Sequence, residues 1–426
     1  MGSIALGLVL CIAGCANSSG PGVSGPAAEP RSEVLAEQPT APAEPTEGSV
    51  GDVKPASASD RLPAAGAAAA GVDIELLQPD PGLATSYAAA GIDLVTLELG
   101  WDAYQPTANT TNRSYVAQRV AQAQAYSDAG LEVVLDLGLQ YPPAWAWNLP
   151  GETRFTDQYG EQWHGGIGTD ALDAVWNSAA RSAENRYVGL VARDFGGLVD
   201  RVRVGGLLSG EIRLPPAHAA GHVDSLWAFG PDALAASPDP TWRPGSGTAS
   251  QARQWLDFYL SSVSGYAVWL ASAVGSAFPA VPIDVLLPGW GVRPGDVDRV
   301  ASALVSTSAV ATTGDDLAGG LDWARQIPAL ARLPLDITAV STWLDAPSYG
   351  TAPRDLAPVE YLATLTGPLG MPLSGENTGG GGPAALARVR EQAERLDLLR
   401  ITWMPDRGSG ASDEVTVAEL GAAFPD

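Results

Sequence analysis

Cysteine, lysine and histidine are nearly missing from this chain of 426 residues. Its 2 cysteines, Cys11 and Cys15, both lie at the extreme N-terminus. Downstream of them no disulfide and no thiolate metal site can form, so packing alone must stabilise the fold. Lys54 is the single lysine, and 48 acidic residues against 24 basic ones give a net charge of −24. With the arginines scattered, that balance opposes polyanions, which excludes nucleic acid and acidic polysaccharides and leaves neutral ligands. Among the 3 histidines, His218 and His222 have the i, i+4 spacing of a helical metal pair. No glutamate stands where such a site needs one, and Pro215-Pro216 precede them, so they read as a surface loop. Gly379 to Gly382 is followed by no Lys-Ser/Thr, and neither Ser209 nor Ser374 sits in a Gly-X-Ser-X-Gly elbow. No metal or cofactor is expected.

What is present begins with MGSIALGLVLCIAGC, an apolar run ending in small residues and too short to cross a bilayer as a permanent helix. Residues 1–15 therefore read as a signal peptide, although no Lys or Arg precedes the run. Ile12-Ala13-Gly14-Cys15 resembles the lipobox of bacterial lipoproteins, which implies cleavage before Cys15 and lipidation of its thiol. Residues 16–70 are rich in Ala, Pro, Ser, Gly and Glu with almost no aromatics, the composition of a disordered tether. Together these segments imply a domain anchored by lipid to the outer face of the bacterial cytoplasmic membrane, or a secreted one.

Beyond residue 70, short β-branched runs alternate with helical patterns to the end of the chain. Strands are expected at 71–77, 93–99, 131–138, 199–206, 282–287, 336–342, 371–374 and 398–404. Helices are expected at 82–90, 115–129, 176–195, 249–278, 296–310, 356–366, 383–396 and 413–423. Eight alternations with no second compositional break predict an α/β fold of the (β/α)₈ TIM-barrel type over residues 71–426. The runner-up is a doubly wound open sheet, which would carry a Gly-rich phosphate turn after its first strand; LLQPDPG is not one.

A barrel puts its functional residues at the C-terminal strand ends, and those positions here are rich in aromatics. Trp101, Tyr141, Trp145, Trp290, Trp343 and Trp403 all follow or end a strand, where their planes can pack on the apolar faces of sugar rings. By contrast, Trp255, Tyr259, Tyr266 and Trp269 recur at helical spacing and read as core. The tetrapeptide Leu-Ser-Gly-Glu occurs twice, ending in Glu211 after the fourth strand and Glu376 after the seventh. Two carboxylates facing each other across a barrel mouth are what glycosidic cleavage requires: one protonates the leaving oxygen, the other attacks the anomeric carbon or activates water. Glu98, Asp102 and Asp136 are secondary acidic candidates.

Glutamates after strands four and seven, with LELGWDAYQP, YPPAW and FTDQYGEQW between strands, resemble the clan A glycoside hydrolases and in particular their β-galactosidases. That resemblance implies Glu211 as acid/base and Glu376 as nucleophile. The clan usually has Asn before its acid/base, where this chain has Gly210. Glu211-Ile-Arg-Leu-Pro is instead similar to the acid motif of β-amylases, and Gly375-Glu376-Asn377 to their base motif. The β-amylase His-Gln-Cys-Gly-Gly-Asn loop has no counterpart. The first resemblance implies a retaining enzyme with carboxyls about 5–5.5 Å apart, the second an inverting one with about 6.5–9.5 Å between them. Both make Glu211 the proton donor with a raised pKa, and imply Arg213 and Asn377 as supporting or hydroxyl-binding groups. A surface glycan-binding lipoprotein on a barrel scaffold is the non-enzymatic alternative.

Overall fold

The computed structural model describes residues 71–165, 169–219, 221–305, 314–378, 382–404 and 415–424. The signal segment, Cys15, the tether and Gly379–Gly381 lie outside the described residues, as do the ends of the segments expected to be helical at 296–310 and 413–423.

Eight parallel strands close into a barrel in sequence order, β1 pairing with both β2 and β8. They are β1 (Asp73–Leu77), β2 (Leu94–Glu98), β3 (Glu132–Asp136), β4 (Arg201–Val204), β5 (Ile283–Leu287), β6 (Ile337–Ser341), β7 (Leu373–Glu376) and β8 (Arg400–Trp403). Each falls within or beside an expected run, and closure excludes the open doubly wound sheet. The helices in chain order are α1 (Ala84–Ala89), α2 (Trp101–Tyr104), α3 (Arg113–Asp128), α4 (Ser178–Phe195), α5 (Pro231–Ala236) and α6 (Ala249–Ala277). They continue with α7 (Asp296–Ala303), α8 (Gly314–Ala318), α9 (Trp323–Leu330), α10 (Pro358–Thr366), α11 (Pro383–Leu396) and α12 (Val417–Ala423). The short α2, α5, α8 and α9 were not legible in the sequence because none has more than 8 residues, too few for a periodic pattern. Among the described residues no helix is long and apolar enough to cross a membrane.

Strand parity divides the residues between two environments. Outward positions such as Ile74, Leu76, Val95, Val133, Val202, Val204, Ile283, Val285 and Ile401 join the apolar layer beneath the helices. In that layer the stripe on α6 buries Trp255, Tyr259 and Tyr266, with Trp269 packed at its edge. Thr248 and Gln251 close the N-terminus of α6 in a reciprocal capping box.

Several inward positions are charged or polar, where barrels ordinarily hold branched aliphatics. Arg400 of β8 reaches across to Asp284 of β5 at 2.5 Å, and its Nε lies 2.8 Å from Glu75 Oε2 without hydrogen-bond alignment. Arg201 donates to the same Asp284 at 2.8 Å. Glu75 also accepts from the hydroxyls of Thr96 and, at 2.8 Å, Thr402. These partners come from five different staves, so the network ties the barrel together through its interior.

Several further carboxyls are buried outside the barrel, Asp173 and Glu184 among them. Asp173, before α4, accepts from the backbone N–H of Trp176 at 2.9 Å, and Glu184 in α4 accepts from the Tyr266 hydroxyl at 3.1 Å. Burial pushes both up to about 8. The unfolded chain releases these protons near pH 4, whereas the folded protein keeps them to about pH 8. Between those limits the folded state binds more protons, so stability falls as pH rises. Thermal denaturation at pH 5 and 8.5 is expected to give a higher Tm at pH 5. Glu184→Gln, which keeps a partner for Tyr266, is expected to narrow the difference by at least about 2 °C; an unchanged difference would show that Glu184 does not carry the effect.

Candidate active site at the barrel mouth

The two Leu-Ser-Gly-Glu copies fold differently. Strand β4 ends at Val204, and Gly206 at φ +78° turns the chain out of the sheet. Leu208–Gly210 then forms a 3-10 turn with Ser209 at φ 56° and Gly210 at φ 77°, which delivers Glu211 beyond the strand end. Leu373–Glu376 is strand β7 itself, two residues later than the expected 371–374, so Glu376 is the last residue of that strand. Gly210 suits its place: its φ is left-handed, and a Cβ there would sit 2.9 Å from the Gln140 amide nitrogen, which would have to shift.

Glu376 is bonded by Arg203 of β4, whose Nη2 donates to Oε2 at 2.5 Å across the barrel. Arg203 is also within ion-pair range of Glu75 at 3.9 Å and Asp136 at 4.0 Å. These three carboxylates hold its pKa well above the ordinary arginine value despite burial. Burial raises Glu376, and Arg203 opposes that shift by charge and hydrogen bond. Glu211 is set differently. Its Oε1 accepts from the Thr342 hydroxyl, just past β6, at 2.7 Å. Protein atoms crowd the carboxyl, although the residue as a whole is only half-buried. Burial pushes its pKa up to about 7; Arg213 and the Thr342 bond pull it down, and the charge of Glu376 pushes it up. That last influence places the two glutamates within electrostatic reach of each other.

A second acidic pair sits beside them. Glu98 and Asp136 end β2 and β3 as register partners. Glu98 is bonded by the side-chain amides of Gln78 and, at 3.1 Å, Gln140. Burial and the neighbouring Asp136 push Glu98 up to about 7, while Tyr141 lowers it through a side-chain hydrogen bond. Asp102 is exposed; its carboxylate accepts from the Ala103 N–H at 2.7 Å, and its backbone N–H donates to Tyr141 O at 3.0 Å.

The aromatic residues divide. Trp290 and Trp343 are partly exposed at the ends of β5 and β6, edge to face with ring centroids 6.5 Å apart. Trp101 has no exposed surface; it stacks on Tyr187 of α4 at 5.2 Å and belongs to the core rather than the cleft. Trp145 packs edge-on against Trp101 at 5.7 Å and donates its indole N–H to Gln105 O, so it supports that cluster. Trp403 is corrected too. It follows inward-facing Thr402 and precedes Met404, so parity turns it outward, where it lies 3% exposed in the core layer. Asn377 is fully buried; its amide clasps Met404 N and O at 2.5 and 3.2 Å, which joins the end of β7 to β8.

His218 is exposed near Asp315 and His222 stacks on Tyr159 at 3.8 Å, so they form no metal pair. Among the described residues no His, Cys, Asp and Glu cluster suits a metal ion. The loops after β3 and β4 pack on each other, Trp163 against Trp227 at 5.8 Å and Ser225 bonded to Asp157 at 2.7 Å. Thr169 Oγ1 accepts from Ser209 N at 2.9 Å, so the loop after β3 also braces the turn that carries Glu211. Arg203, Thr342, Gln78 and Gln140 were missed in the sequence. A charged residue at inward parity in the run RVRV was the available signal for Arg203.

No family model matches this chain, and no curated protein matches its sequence. Solved structures do. The catalytic domain of β-amylase from Paenibacillus polymyxa matches with a TM-score of 0.61 at 18% identity, over 79% of this chain and 93% of that one. What the two share is the fold, a closed (β/α)₈ barrel. β-Galactosidase from the psychrophilic Marinomonas ef1 matches with a TM-score of 0.53 at 13% identity, and that from Bacillus circulans sp. alkalophilus with 0.51 at 13%. Each covers 83% of this chain, which spans only 59% and 55% of those two enzymes.

Proposed function

We propose that the protein is a glycoside hydrolase that cleaves O-glycosidic bonds of a neutral oligo- or polysaccharide with Glu211 and Glu376. One observation supports the reading: Glu211, carried beyond β4, and Glu376, at the end of β7, feel each other's charge in unequal surroundings. Glu211, with a pKa of about 7, keeps a proton near neutrality and can deliver it to the departing oxygen as the bond breaks. Glu376, held against a permanent cation, is the carboxylate that attacks the anomeric carbon or takes a proton from the attacking water. Protonation and attack then occur on opposite sides of the bond, which lowers the charge separation each would otherwise build alone. Arg213 and Thr342 tune Glu211, and Trp290 and Trp343 offer apolar faces to sugar rings.

The β-amylase and β-galactosidase folds that resemble this chain define the first substrates to try. Neutral aryl glycosides, α-glucans and β-galactosides are incubated with the protein, and the first-formed anomer is read by NMR. Turnover is expected on one class. Retention of configuration then assigns Glu376 as nucleophile, and inversion assigns it as base. Binding without turnover on every substrate would instead favour the glycan-binding reading. We propose further that Cys15 carries a lipid anchor; labelled palmitate incorporated by the wild type and not by Cys15→Ala is the expected result.

A further inference from the structure

Trp290 and Trp343 differ from every other tryptophan in the molecule. Of the 13 tryptophans, the remaining eleven either belong to the core layer or pack against it; these two do neither. Their ring neighbour is Tyr349, whose ring lies 5.6 Å from that of Trp290 at an interplanar angle of 22°. Tyr349 is 76% exposed, the highest value among the large exposed hydrophobic residues described. Three aromatic rings therefore run from the barrel mouth to the surface without contributing to the core, an arrangement that packing does not explain.

The backbone beneath these rings is fastened. Asp316 Oδ1 in α8 accepts from the N–H groups of Trp290 and Gly291 at 2.9 and 3.2 Å. Arg293 is 5% exposed and donates to Pro353 O at 3.0 Å and Leu356 O at 3.1 Å, which holds both ends of the segment following Tyr349. Tyr349 N donates to Asp355 O at 2.8 Å, and the neighbouring Ser348 Oγ accepts from Ala357 N at 2.9 Å. An exposed aromatic on a pinned loop has already lost the freedom that binding would otherwise remove. The rings also lie in the sector of the proton donor: Trp343 directly follows Thr342, which bonds Glu211.

We infer that Trp343, Trp290 and Tyr349 form a stacking platform for sugar rings on the leaving-group side of the cleaved bond, with Tyr349 serving the ring farthest from Glu211. The inference rests on the hydrolase reading for the identity of the cleaved bond, but not for the binding of sugar. The substrate is then an oligosaccharide or longer chain, and Tyr349 sets the preference for length. A pyranose face on an aromatic plane buries C–H groups and leaves the hydroxyls at the rim in water, so a neutral sugar chain fits an acidic protein without a cation.

The test uses maltose to maltohexaose and the corresponding β-1,4-galactooligosaccharides with wild type, Tyr349→Ala, Tyr349→Phe and Leu369→Ala. Leu369 is an exposed residue in the turn before β7, at the other end of the barrel, and serves as the surface control. For Tyr349→Ala, kcat/KM on the six-unit chain is expected to fall about tenfold through KM, and by progressively less on shorter chains. Tyr349→Phe keeps the stack and is expected to restore the wild-type dependence on length. The second arm measures binding of the same sugars to Glu211→Gln by tryptophan fluorescence, with and without Tyr349→Ala. Length-dependent binding lost with Tyr349 upholds the platform even if nothing is hydrolysed, in which case the hydrolase reading alone fails. Turnover with the same length dependence in wild type and Tyr349→Ala overturns the platform and leaves the hydrolase reading intact. Neither binding nor turnover of any chain overturns both.

Discussion

Glu211→Gln is expected to lower kcat by about 10²–10⁴-fold on substrates with a poor leaving group, because the proton that must reach the departing oxygen is gone. Substrates whose leaving group departs as a stable anion need that proton less, so an activated aryl glycoside is expected to lose less than the natural sugar chain. The pH profile gives an independent reading. Activity that needs Glu211 protonated and Glu376 ionised is bell-shaped, and its alkaline limb belongs to Glu211, near pH 7. Thr342 and Arg213 both lower that pKa by favouring the carboxylate. Thr342→Val is therefore expected to move the alkaline limb upward while leaving the acid limb in place. A downward move, or an alkaline limb that survives in Glu211→Gln, would reassign the proton donor. Glu98, also pushed up to about 7, is the group to which such a surviving limb would point.

Arg203→Met is expected to destabilise the protein by roughly 3–5 kcal/mol in chemical denaturation, the range for breaking a buried pair by removing one partner. The cost arises because Glu376, Glu75 and Asp136 would be left around an apolar side chain. Protonation offers the escape, so the variant is expected to recover part of its stability as pH falls. The same change acts on the reaction. Arg203 lowers the pKa of Glu376, and its removal is expected to move the acid limb of the kcat profile toward neutrality and narrow the bell. Arg203→Lys keeps the charge but not the forked geometry, and should fall between the two. A methionine variant with wild-type stability and an unmoved acid limb would show that the ion pair is dispensable to fold and site alike.

The barrel was legible in the chain because its causes are local. A strand packed under helices needs an apolar residue at every second position, a helix needs an apolar stripe, and eight repetitions of that alternation leave few ways to close a sheet. The two glutamates were legible for the same reason, each standing next to a countable strand. Parity was equally available and was not applied at the strand ends: it would have turned Trp403 away from the mouth, and the inward charges of RVRV and RIT would have announced an ionic interior. What no local pattern contains is partnership. Arg203 and Glu376 are 173 residues apart, and Thr342 and Glu211 are 131 apart. Only closure of the barrel brings them within hydrogen-bond distance. The same holds for the identical Leu-Ser-Gly-Glu copies, one extended in β7 and the other turned beyond β4, where the Gln140 amide fills the space that a side chain at Gly210 would need. Chemical type and order along the chain follow from the residues themselves. Protonation state and reach follow from what surrounds each residue, because burial and neighbouring charge act through space and not along the sequence.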